Sequence, residues 1–329
     1  MPPRIAIVTG ATGFVGSHLV DALCARGEDV RALVRPSSDS RGLSAAGARP
    51  VIVDLTSRSA VAAALQGADV VYHLAAATRA RDEAEYRRAN VDTTVAVVAA
   101  AASLPRPPRV VVLGSLAAAG PASHGQPVGE EACAPLTAYG RTKLEAERVA
   151  LSTSAASVVV LRAPAVYGPR DRDLFTFFRL ASLGVMPTPT GPDRPVQLIH
   201  VQDLVRALIA AGDADTSGRV YNVADPSIRP WSEVVELIAR AVGRRPVKVP
   251  VPRALLRVAA LVSEKAARLS SRATIFNRDK VTELLAPGWL CTTERAAREL
   301  GFRTSIPLER GIEETAAWYR AEGWLGAVR

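Results

Sequence analysis

The feature that most constrains the fold is an apolar run near the N-terminus that ends in three regularly spaced glycines. The run covers 5–8, and a helical pattern of apolar residues follows the glycines at Leu19, Val20 and Leu23. Glycines three apart allow a tight turn, a close approach of backbone to a pyrophosphate, and close packing of helix on strand. The free N–H groups at the start of the helix then face the phosphates. The segment predicts a dinucleotide site, with candidate residues Gly10, Thr12, Gly13, Phe14, Val15 and Gly16.

Further along the chain, short apolar runs alternate with helical patterns. Strands are predicted at 29–35, 51–53, 70–72, 109–113 and 158–161, and long helices at 85–104 and 137–151. Strands and helices that alternate at this rhythm form a parallel sheet covered by helices, and such a sheet binds its ligand at the carboxyl ends of its strands. The sequence therefore predicts an α/β fold, a Rossmann-type doubly wound parallel sheet.

Three polar side chains are predicted to meet at that edge. Tyr139 and Lys143 are four residues apart on a predicted helix, so they share one helix face. A nearby ammonium favours the phenolate, and we expect it to lower the pKa of Tyr139 from its reference value near ~10 toward neutrality. Ser115 lies just beyond the apolar run 110–113. The three groups together predict a catalytic site with Tyr139 as the general acid/base.

The ends of the other predicted strands bear on the choice of cofactor. In NAD-selective sites an acidic residue after the second strand accepts hydrogen bonds from the ribose 2′-hydroxyl, whereas an arginine accommodates a 2′-phosphate. This strand ends in Val34-Arg35, so NADP(H) is favoured over NAD(H), with Arg35 binding the phosphate. Asp54 is placed to meet the adenine amino group. The other candidate residues at these strand ends are Leu55, Leu74, Ala75 and Ala76.

Charge and composition narrow the possible partners. The formal charge of +9 comes with 41 basic residues that are scattered rather than gathered into a block, which argues against nucleic-acid binding and leaves anionic ligands attractive. The histidines and the three cysteines lack metal-ligand spacing, so no metal is predicted, and the cysteine usage favours a reducing cytoplasmic location. The N-terminal apolar run is too short for a signal peptide. No apolar run approaches the ~18 to 20 residues that cross a bilayer, so no stable membrane insertion is expected.

Several ordered motifs together resemble the extended short-chain dehydrogenase/reductase family, within the NAD-dependent epimerase/dehydratase superfamily. These motifs are the glycine segment 9–16, Asp54-Leu55, His73 to Ala76, Asn90-Val91, Ser115, Tyr139-x-x-x-Lys143, Arg162-x-Pro164 and Tyr167-Gly168-Pro169. The resemblance implies that Tyr139 is the acid/base, that Lys143 binds the nicotinamide ribose hydroxyls, and that Ser115 holds the substrate oxygen. It adds Asn90 to the cofactor-binding residues, and it implies that the nicotinamide is flanked by Pro164, Ala165 and Val166.

The second half of the chain is predicted to build the substrate side. The dinucleotide-binding domain is predicted at 1–165, with 198–224 returning to it. A smaller, mostly helical substrate lobe is predicted at 166–197 and 225–329. The prolines between Pro187 and Pro195 predict a rigid loop that folds over the pocket. The C-terminal helices resemble those of members similar to 3β-hydroxysteroid dehydrogenases, which act on hydrophobic substrates.

Two enzyme functions remain open at this point. The favoured one is an NADP(H)-dependent oxidoreductase that interconverts a ketone and a secondary alcohol on a largely apolar small molecule. The alternative is a nucleotide-sugar epimerase or dehydratase, whose members usually carry an asparagine and an arginine at the places held here by Ala165 and Val196. Arg194 could replace that arginine if the loop shifts. A non-catalytic NADP(H)-binding regulator would not need Ser115, Tyr139 and Lys143 together. The resemblance also implies a possible homodimer through helices 85–104 and 139–151.

Overall fold

Seven parallel strands form the central sheet of the computed structural model, which describes residues 2–123, 125–269 and 278–326. The strands, in chain order, are β1 Ile5–Thr9, β2 Asp29–Val34, β3 Arg49–Ile52, β4 Val70–His73, β5 Arg109–Ser115, β6 Val158–Ala163, β7 Ala165–Tyr167, β8 Val185–Pro189, β9 Pro195–Val196, β10 Leu198–His200, β11 Arg219–Asn222, β12 Arg229–Pro230 and β13 Val247–Val251. The central sheet has the order β11-β6-β5-β4-β1-β2-β3. The winding reverses between β1 and β4, and a sheet of this kind binds its ligand at that crevice. The predicted Rossmann-type fold is confirmed.

Helices cover both faces of this sheet, and further helices alternate with short strands in the second half of the chain. They are α1 Phe14–Ala25, α2 Arg41–Ala45, α3 Arg58–Ala64, α4 Glu83–Arg87, α5 Thr93–Ala102, α6 Leu116–Ala119, α7 Ala138–Leu151, α8 Phe175–Ser182, α9 Val201–Asp213, α10 Trp231–Ala241, α11 Arg253–Leu269, α12 Arg278–Leu285, α13 Glu294–Glu299 and α14 Leu308–Ala321. Across the described ranges, no helix has both the length and the apolarity of a membrane span.

The central strands are apolar on both faces because a core lies on each side. Along β1, Ala6 and Val8 join the cluster that includes α1 and α9, whereas Ile7 joins the cluster that includes α3 and α5. Alternate residues of β4, β5 and β6 divide between the two clusters in the same way. Parallel strands that are covered on both sides read as continuous apolar runs. This is why strand positions could be predicted from the sequence while the facing direction of each residue could not.

A third apolar cluster forms beside the sheet in the second half of the chain. It joins residues of α8, α10 and α14, including the fully buried rings of Phe178 and Tyr319. The proline-rich segment borders it, and the prediction that this segment is a loop is partly wrong. β8 pairs with β13, and β9 pairs with β12, so Pro187, Pro189 and Pro195 lie in two-stranded ribbons where every strand is an edge. β11 joins the central sheet beside β6, whereas β10 pairs with β7 outside it. The proposed domain boundaries stay a prediction.

The predicted long helix at 85–104 is wrong in one respect, because it widens into a π-helical turn at Arg88–Asp92 between α4 and α5. The Thr93 and Thr94 hydroxyls donate back to the carbonyl oxygens of Ala89 and Asn90, at 2.7 and 2.6 Å. Hydroxyls that bond to the preceding turn compete with the regular helical ladder. The π turn contains Asn90, whose side chain is buried and bonds to other parts of the fold. Such turns are frequent at functional sites.

Candidate active site

The glycine turn after β1 has no room for side chains at its two ends. Gly10 has φ +68°, and a Cβ there would lie 2.8 Å from the Ala75 nitrogen. A Cβ on Gly16 would lie 2.1 Å from the Gly10 carbonyl oxygen. Gly13 is the N-cap of α1 and offers no side chain to the first turn, so the amide groups there are left for an anion. These features fit a dinucleotide whose pyrophosphate lies against the start of α1.

The other residues predicted in this turn lie on its outer side. Thr12 is exposed, and Phe14 and Val15 are half-buried in the first turn of α1. The Phe14 ring packs edge-on against His18, with the ring centroids 5.9 Å apart. The His18 ring in turn bonds to the Pro169 carbonyl oxygen across 2.8 Å. The glycine turn is therefore tied to the segment that follows β7.

The loop after β4 is bound to the end of β1 by a buried hydrogen-bond network. The Thr9 hydroxyl oxygen accepts from the Leu74 and Ala75 amides at 3.2 and 3.1 Å, which places Leu74, Ala75 and the following Ala76 beside the glycine turn. The same oxygen bonds to His73 Nδ1 at 2.8 Å. Burial, together with the charge of Lys143, lowers the pKa of His73 to about 3, so this ring is neutral. His73 therefore has a structural role, since its two ring nitrogens bond to the hydroxyls of Thr9 and Thr94.

Asn90 joins the cofactor side of the site to the catalytic helix. Its Oδ1 accepts from the Ala77 amide at 2.7 Å, and its Nδ2 donates to the Thr142 hydroxyl at 3.1 Å. Asn90 is 1 % exposed. Thr142 lies on α7 next to Lys143, so one buried amide side chain holds the β4 loop and the catalytic helix in register.

The three predicted catalytic groups meet at the carboxyl edge of the sheet. Ser115 ends β5 and caps α6, and its hydroxyl lies near enough to the Tyr139 phenol to influence the pKa of that phenol. α7 begins one residue before Tyr139, with the Thr137 hydroxyl accepting from the Gly140 amide at 3.1 Å. Lys143 Nζ donates to the Leu113 carbonyl oxygen at 2.6 Å, two residues before Ser115. This side of the site thus consists of the end of β5 and the first two turns of α7.

The expected effect of Lys143 on the Tyr139 pKa is wrong. Burial raises the pKa of Tyr139 above its ordinary value, and the nearby Ser115 hydroxyl opposes this only in part. Burial also lowers the pKa of Lys143 to about 8, while the charge of Glu147 acts in the other direction. Desolvation outweighs the attraction of opposite charges here because Lys143 is buried and Tyr139 is half-buried, and the ammonium is bound to a backbone carbonyl.

A buried ion pair beneath the catalytic residues was missed by sequence reasoning. Arg162 Nε and Nη2 lie 2.8 Å from Glu147 Oε2, and both side chains are 2 % exposed. Arg162 Nη1 also donates to the carbonyl oxygens of Glu130 and Ala132 at 3.0 and 2.9 Å. Glu147 follows Lys143 by four residues, so the spacing that relates Tyr139 to Lys143 could have identified it. The pair places a carboxylate on the same helix face as the phenol and the ammonium.

The packing of α12 over the start of α7 was also missed by sequence reasoning, and no local pattern in the sequence predicts it. Asp279 of α12 accepts from the Ala138 amide at 3.0 Å. Glu283 of the same helix accepts from the Thr137 hydroxyl at 3.5 Å, and its charge helps to raise the Tyr139 pKa. On another side, the rings of Tyr86 and Tyr139 have centroids 5.9 Å apart. A helix from the far end of the chain therefore closes over the first turn of α7.

The remaining predicted residues lie at the two flanks of the same edge. Arg35 is exposed directly after β2, and Asp54 is exposed just after β3, which pairs with β2. Asp54 accepts from the Thr56 amide and hydroxyl at 2.9 and 2.7 Å, while Leu55 is half-buried.

On the other flank, Ser115 lies opposite Ala163 in the β5–β6 register. Pro164, Ala165 and Val166 follow Ala163 directly, and Ala165 is exposed at the start of β7. The proposed nicotinamide-flanking segment therefore begins beside Ser115.

A doubly wound sheet with a glycine turn at its switch point and a Ser-Tyr-Lys group at the same edge defines a class, the nicotinamide-dependent oxidoreductases of the Rossmann fold. Residues 6–224 match the sequence model of the NAD dependent epimerase/dehydratase family, and the chain belongs to that family. It is an NAD(P)-dependent oxidoreductase of the extended short-chain dehydrogenase/reductase type, as its motifs predicted.

Curated relatives and a solved structure match nearly end to end. The chain is 30% identical over 326 residues to ceramide reductase of Caulobacter vibrioides (strain NA1000 / CB15N), covering 98% of this chain and 96% of the relative. It is 28% identical over 320 residues to 4-hydroxy-2-methyl-3-oxo-4-farnesyl-3,4-dihydroquinoline-1-oxide ketoreductase of Stigmatella aurantiaca, covering 93% and 94%. Among solved structures, MoeE5 in complex with UDP-glucuronic acid and NAD is similar with a TM-score of 0.75 and 29% identity, covering 96% of this chain and 99% of that one.

Proposed function

We propose that the protein is an NADPH-dependent reductase that converts a ketone on a largely apolar small molecule into a secondary alcohol. The observation that carries this proposal is the placement of Ser115, Tyr139 and Lys143 at the same edge of the sheet as the glycine turn. Gly10, Gly13 and Gly16 would hold the pyrophosphate, and Lys143 would bind the nicotinamide ribose hydroxyls. When bound, the nicotinamide supplies a hydride to the carbonyl carbon.

The protein's own groups would position the carbonyl oxygen and provide its proton. The Ser115 hydroxyl would donate a hydrogen bond to the oxygen, and the Tyr139 phenol would give up its proton as negative charge develops there. Because burial raises the pKa of Tyr139, the phenol stays protonated near neutral pH, which suits a proton donor in the direction of reduction. The Lys143 ammonium, one helical turn away, would offset the charge of the phenolate that remains.

The choice of NADPH over NADH is argued from the end of β2. Arg35 is exposed there and is available to a 2′-phosphate. The next carboxylate along the chain, Asp39, is bound by Arg41 at 2.7 Å, and this hydrogen bond lowers the pKa of Asp39 to about 2. A carboxylate that is already paired with an arginine is a poor acceptor for a ribose hydroxyl. Since Arg35 is exposed and Asp39 is already paired, the end of β2 favours a phosphate ligand over a ribose hydroxyl.

An apolar substrate is supported by the relatives and by the flank of the site. One relative is named a ceramide reductase. Another is named a ketoreductase, and its named substrate carries a farnesyl group. Ala165, where a nucleotide-sugar enzyme usually presents an amide side chain, is exposed and apolar. Arg194, the candidate to bind a sugar diphosphate, donates instead to the Leu284 carbonyl oxygen at 2.6 Å.

The test is NADPH oxidation with a panel of lipophilic ketones, with nucleotide sugars as the comparison. We expect turnover of ketones, and we expect Tyr139→Phe to lower kcat by a factor of about 10² to 10⁴, the usual contribution of general acid catalysis. Tyr86→Phe is the matched control, because this neighbouring phenol donates to the Thr78 carbonyl oxygen at 3.3 Å. Its kcat should stay close to that of the unmodified protein.

Two results would contradict this proposal. Epimerisation of a nucleotide sugar without net consumption of cofactor would show that the alternative function, a nucleotide-sugar epimerase or dehydratase, is the right one. Unchanged turnover in Tyr139→Phe would remove the acid/base role of the phenol.

Three further features stay proposals. They are the division into a dinucleotide-binding domain and a substrate lobe, a homodimer through the helices around α5 and α7, and a cytoplasmic location. Size-exclusion chromatography with light scattering tests the homodimer.

A further inference from the structure

Helix α11 turns an apolar face toward solvent. Leu255, Val258 and Val262 are 57%, 54% and 61% exposed, and their spacing of three, four and seven residues places them on one helix face. Leu261 extends this face and is 41% exposed. Ala260 on the opposite side is fully buried. A surface helix ordinarily presents mainly polar residues to solvent, so the exposed apolar face of α11 is unusual.

The segment between Glu236 and Glu264, which leads into this face and carries it, has only positive charges. Between Glu236 and Glu264 the sequence has six basic residues and no acidic one. The basic residues are Arg240, Arg244, Arg245, Lys248, Arg253 and Arg257. Arg244, Arg245 and Arg257 are exposed, and Arg257 is on α11 itself, beside the apolar face. Lys248 is paired with Glu236 at 3.0 Å. An exposed apolar face bordered by arginines is complementary to an anionic and apolar partner.

We propose that this face, defined by Leu255, Val258, Leu261 and Val262, docks the protein on the surface of an anionic lipid bilayer. Helices with an apolar face and flanking arginines lie in the plane of the membrane interface with that face among the acyl chains. α11 has 17 residues, so it is about 25 Å long and presents several turns to the surface. A second copy of this chain is a less suitable partner, because it would bring a second set of unbalanced arginines against the first.

The docked helix would lie close to the catalytic residues. α11 packs against α12, and Arg278 at the start of α12 pairs with Glu264 of α11 at 2.8 Å. α12 in turn places Asp279 on the Ala138 amide, directly before Tyr139. One helix therefore separates the membrane-facing surface from the proton donor. For a reductase of apolar molecules, which is the function proposed above, the substrate would reach the site from the bilayer.

Docking is tested with the full chain and vesicles, without cofactor or substrate. We expect the protein to sediment with vesicles of phosphatidylcholine mixed with phosphatidylglycerol, to bind vesicles of phosphatidylcholine alone much more weakly, and to dissociate at high salt. The double substitution Leu255→Ser and Val262→Ser should lower the partition coefficient by about tenfold or more, because two side chains lose contact with the acyl chains. The matched control is Ile52→Ser with Ile228→Ser, whose side chains are 68% and 44% exposed outside α11.

A second pair of substitutions keeps the test decisive if the serine variant does not fold. Arg244→Gln with Arg245→Gln changes only exposed side chains, and it should lower partitioning by about fivefold for each charge removed. The proposal is overturned if the unmodified protein does not bind anionic vesicles. It is also overturned if both double variants bind them as well as the Ile52→Ser, Ile228→Ser control does. It is also overturned if light scattering shows a dimer that the α11 serine variant abolishes, since the face would then be an interface between copies. None of these results depends on reductase activity, so the two proposals fail separately.

Discussion

Replacing Glu147 by glutamine removes a negative charge from between two buried cations. Glu147 pairs with Arg162 across 2.8 Å, and its charge raises the pKa of Lys143 against the effect of burial. Glutamine keeps the shape of the side chain and one oxygen acceptor for Arg162. The substitution therefore isolates the effect of the charge and leaves the packing around this side chain almost unchanged.

The expected loss of stability follows from the burial of the pair. Removing one partner of a buried ion pair costs about 3 to 5 kcal/mol, because the other charge stays buried without compensation. Since glutamine still accepts a hydrogen bond and Arg162 retains the Glu130 and Ala132 carbonyls, we expect about 3 kcal/mol. Urea denaturation measures this value.

The same substitution should move the pH dependence of turnover. Lys143 has a pKa of about 8, so its ammonium form is present below that pH and is lost above it. Charges about 5 to 6 Å apart at an effective dielectric constant of about 20 interact by about 3 kcal/mol, or about two pKa units. Arg162 offsets part of the field of Glu147, so we expect the Lys143 pKa to fall by about one unit. The alkaline limb of NADPH oxidation should therefore move to lower pH.

The control for both measurements is Glu145→Gln on the same helix. Glu145 pairs with Arg87 at the surface, where the two side chains are well exposed, and such pairs contribute little. We expect nearly unchanged unfolding and an unmoved alkaline limb. If Glu147→Gln behaved like this control in both assays, the buried carboxylate would have no electrostatic role, and its effect on the Lys143 pKa would be refuted.

Three other substitutions test the cofactor side. Gly16→Ala should abolish measurable NADPH binding in a fluorescence titration, because the new methyl group would lie 2.1 Å from the Gly10 carbonyl oxygen and distort the turn; retained affinity would contradict the close-approach argument. Arg35→Ala should remove the preference for NADPH over NADH, and equal affinities before mutation would already defeat the role of Arg35. Asn90→Ala should lower the free energy of unfolding by about 3 kcal/mol, since the Ala77 amide and Thr142 lose a buried partner; a loss below about 1 kcal/mol would show that water replaces the amide.

The placement of the glycine turn, Ser115 and Tyr139 at one edge of the sheet could be predicted from the sequence because each part depends on a local pattern. The strand, glycine turn and helix at the N-terminus follow from apolar periodicity and backbone sterics, and α7 begins after Thr137 as its capping residue requires. Parallel strands then bring Ser115 and Tyr139 to one edge without any knowledge of side-chain contacts. The seven-stranded order is the consequence of the same alternation.

What could not be predicted depends on tertiary contacts. The π turn at Arg88–Asp92 accompanies bonds from Asn90 to a loop and to α7, which no helical pattern reveals. The predicted direction of the Tyr139 pKa shift was wrong because the spacing places a cation nearby but says nothing about desolvation, which depends on tertiary packing around the phenol. The strand pairing of the prolines in β8 required β13, about 60 residues later, as its partner.

The seating of α12 on the first turn of α7 has a consequence for evolution and for engineering. A fragment that ended after β11 would keep the whole nucleotide-binding scaffold, yet it would lack the carboxylates of Asp279 and Glu283 beside Tyr139. Under the proposed function, exchanging the C-terminal segment with that of a homologue would alter the pKa of the Tyr139 phenol along with the substrate lobe. Under the proposed function, substrate selection and the pKa of the proton donor would therefore change together.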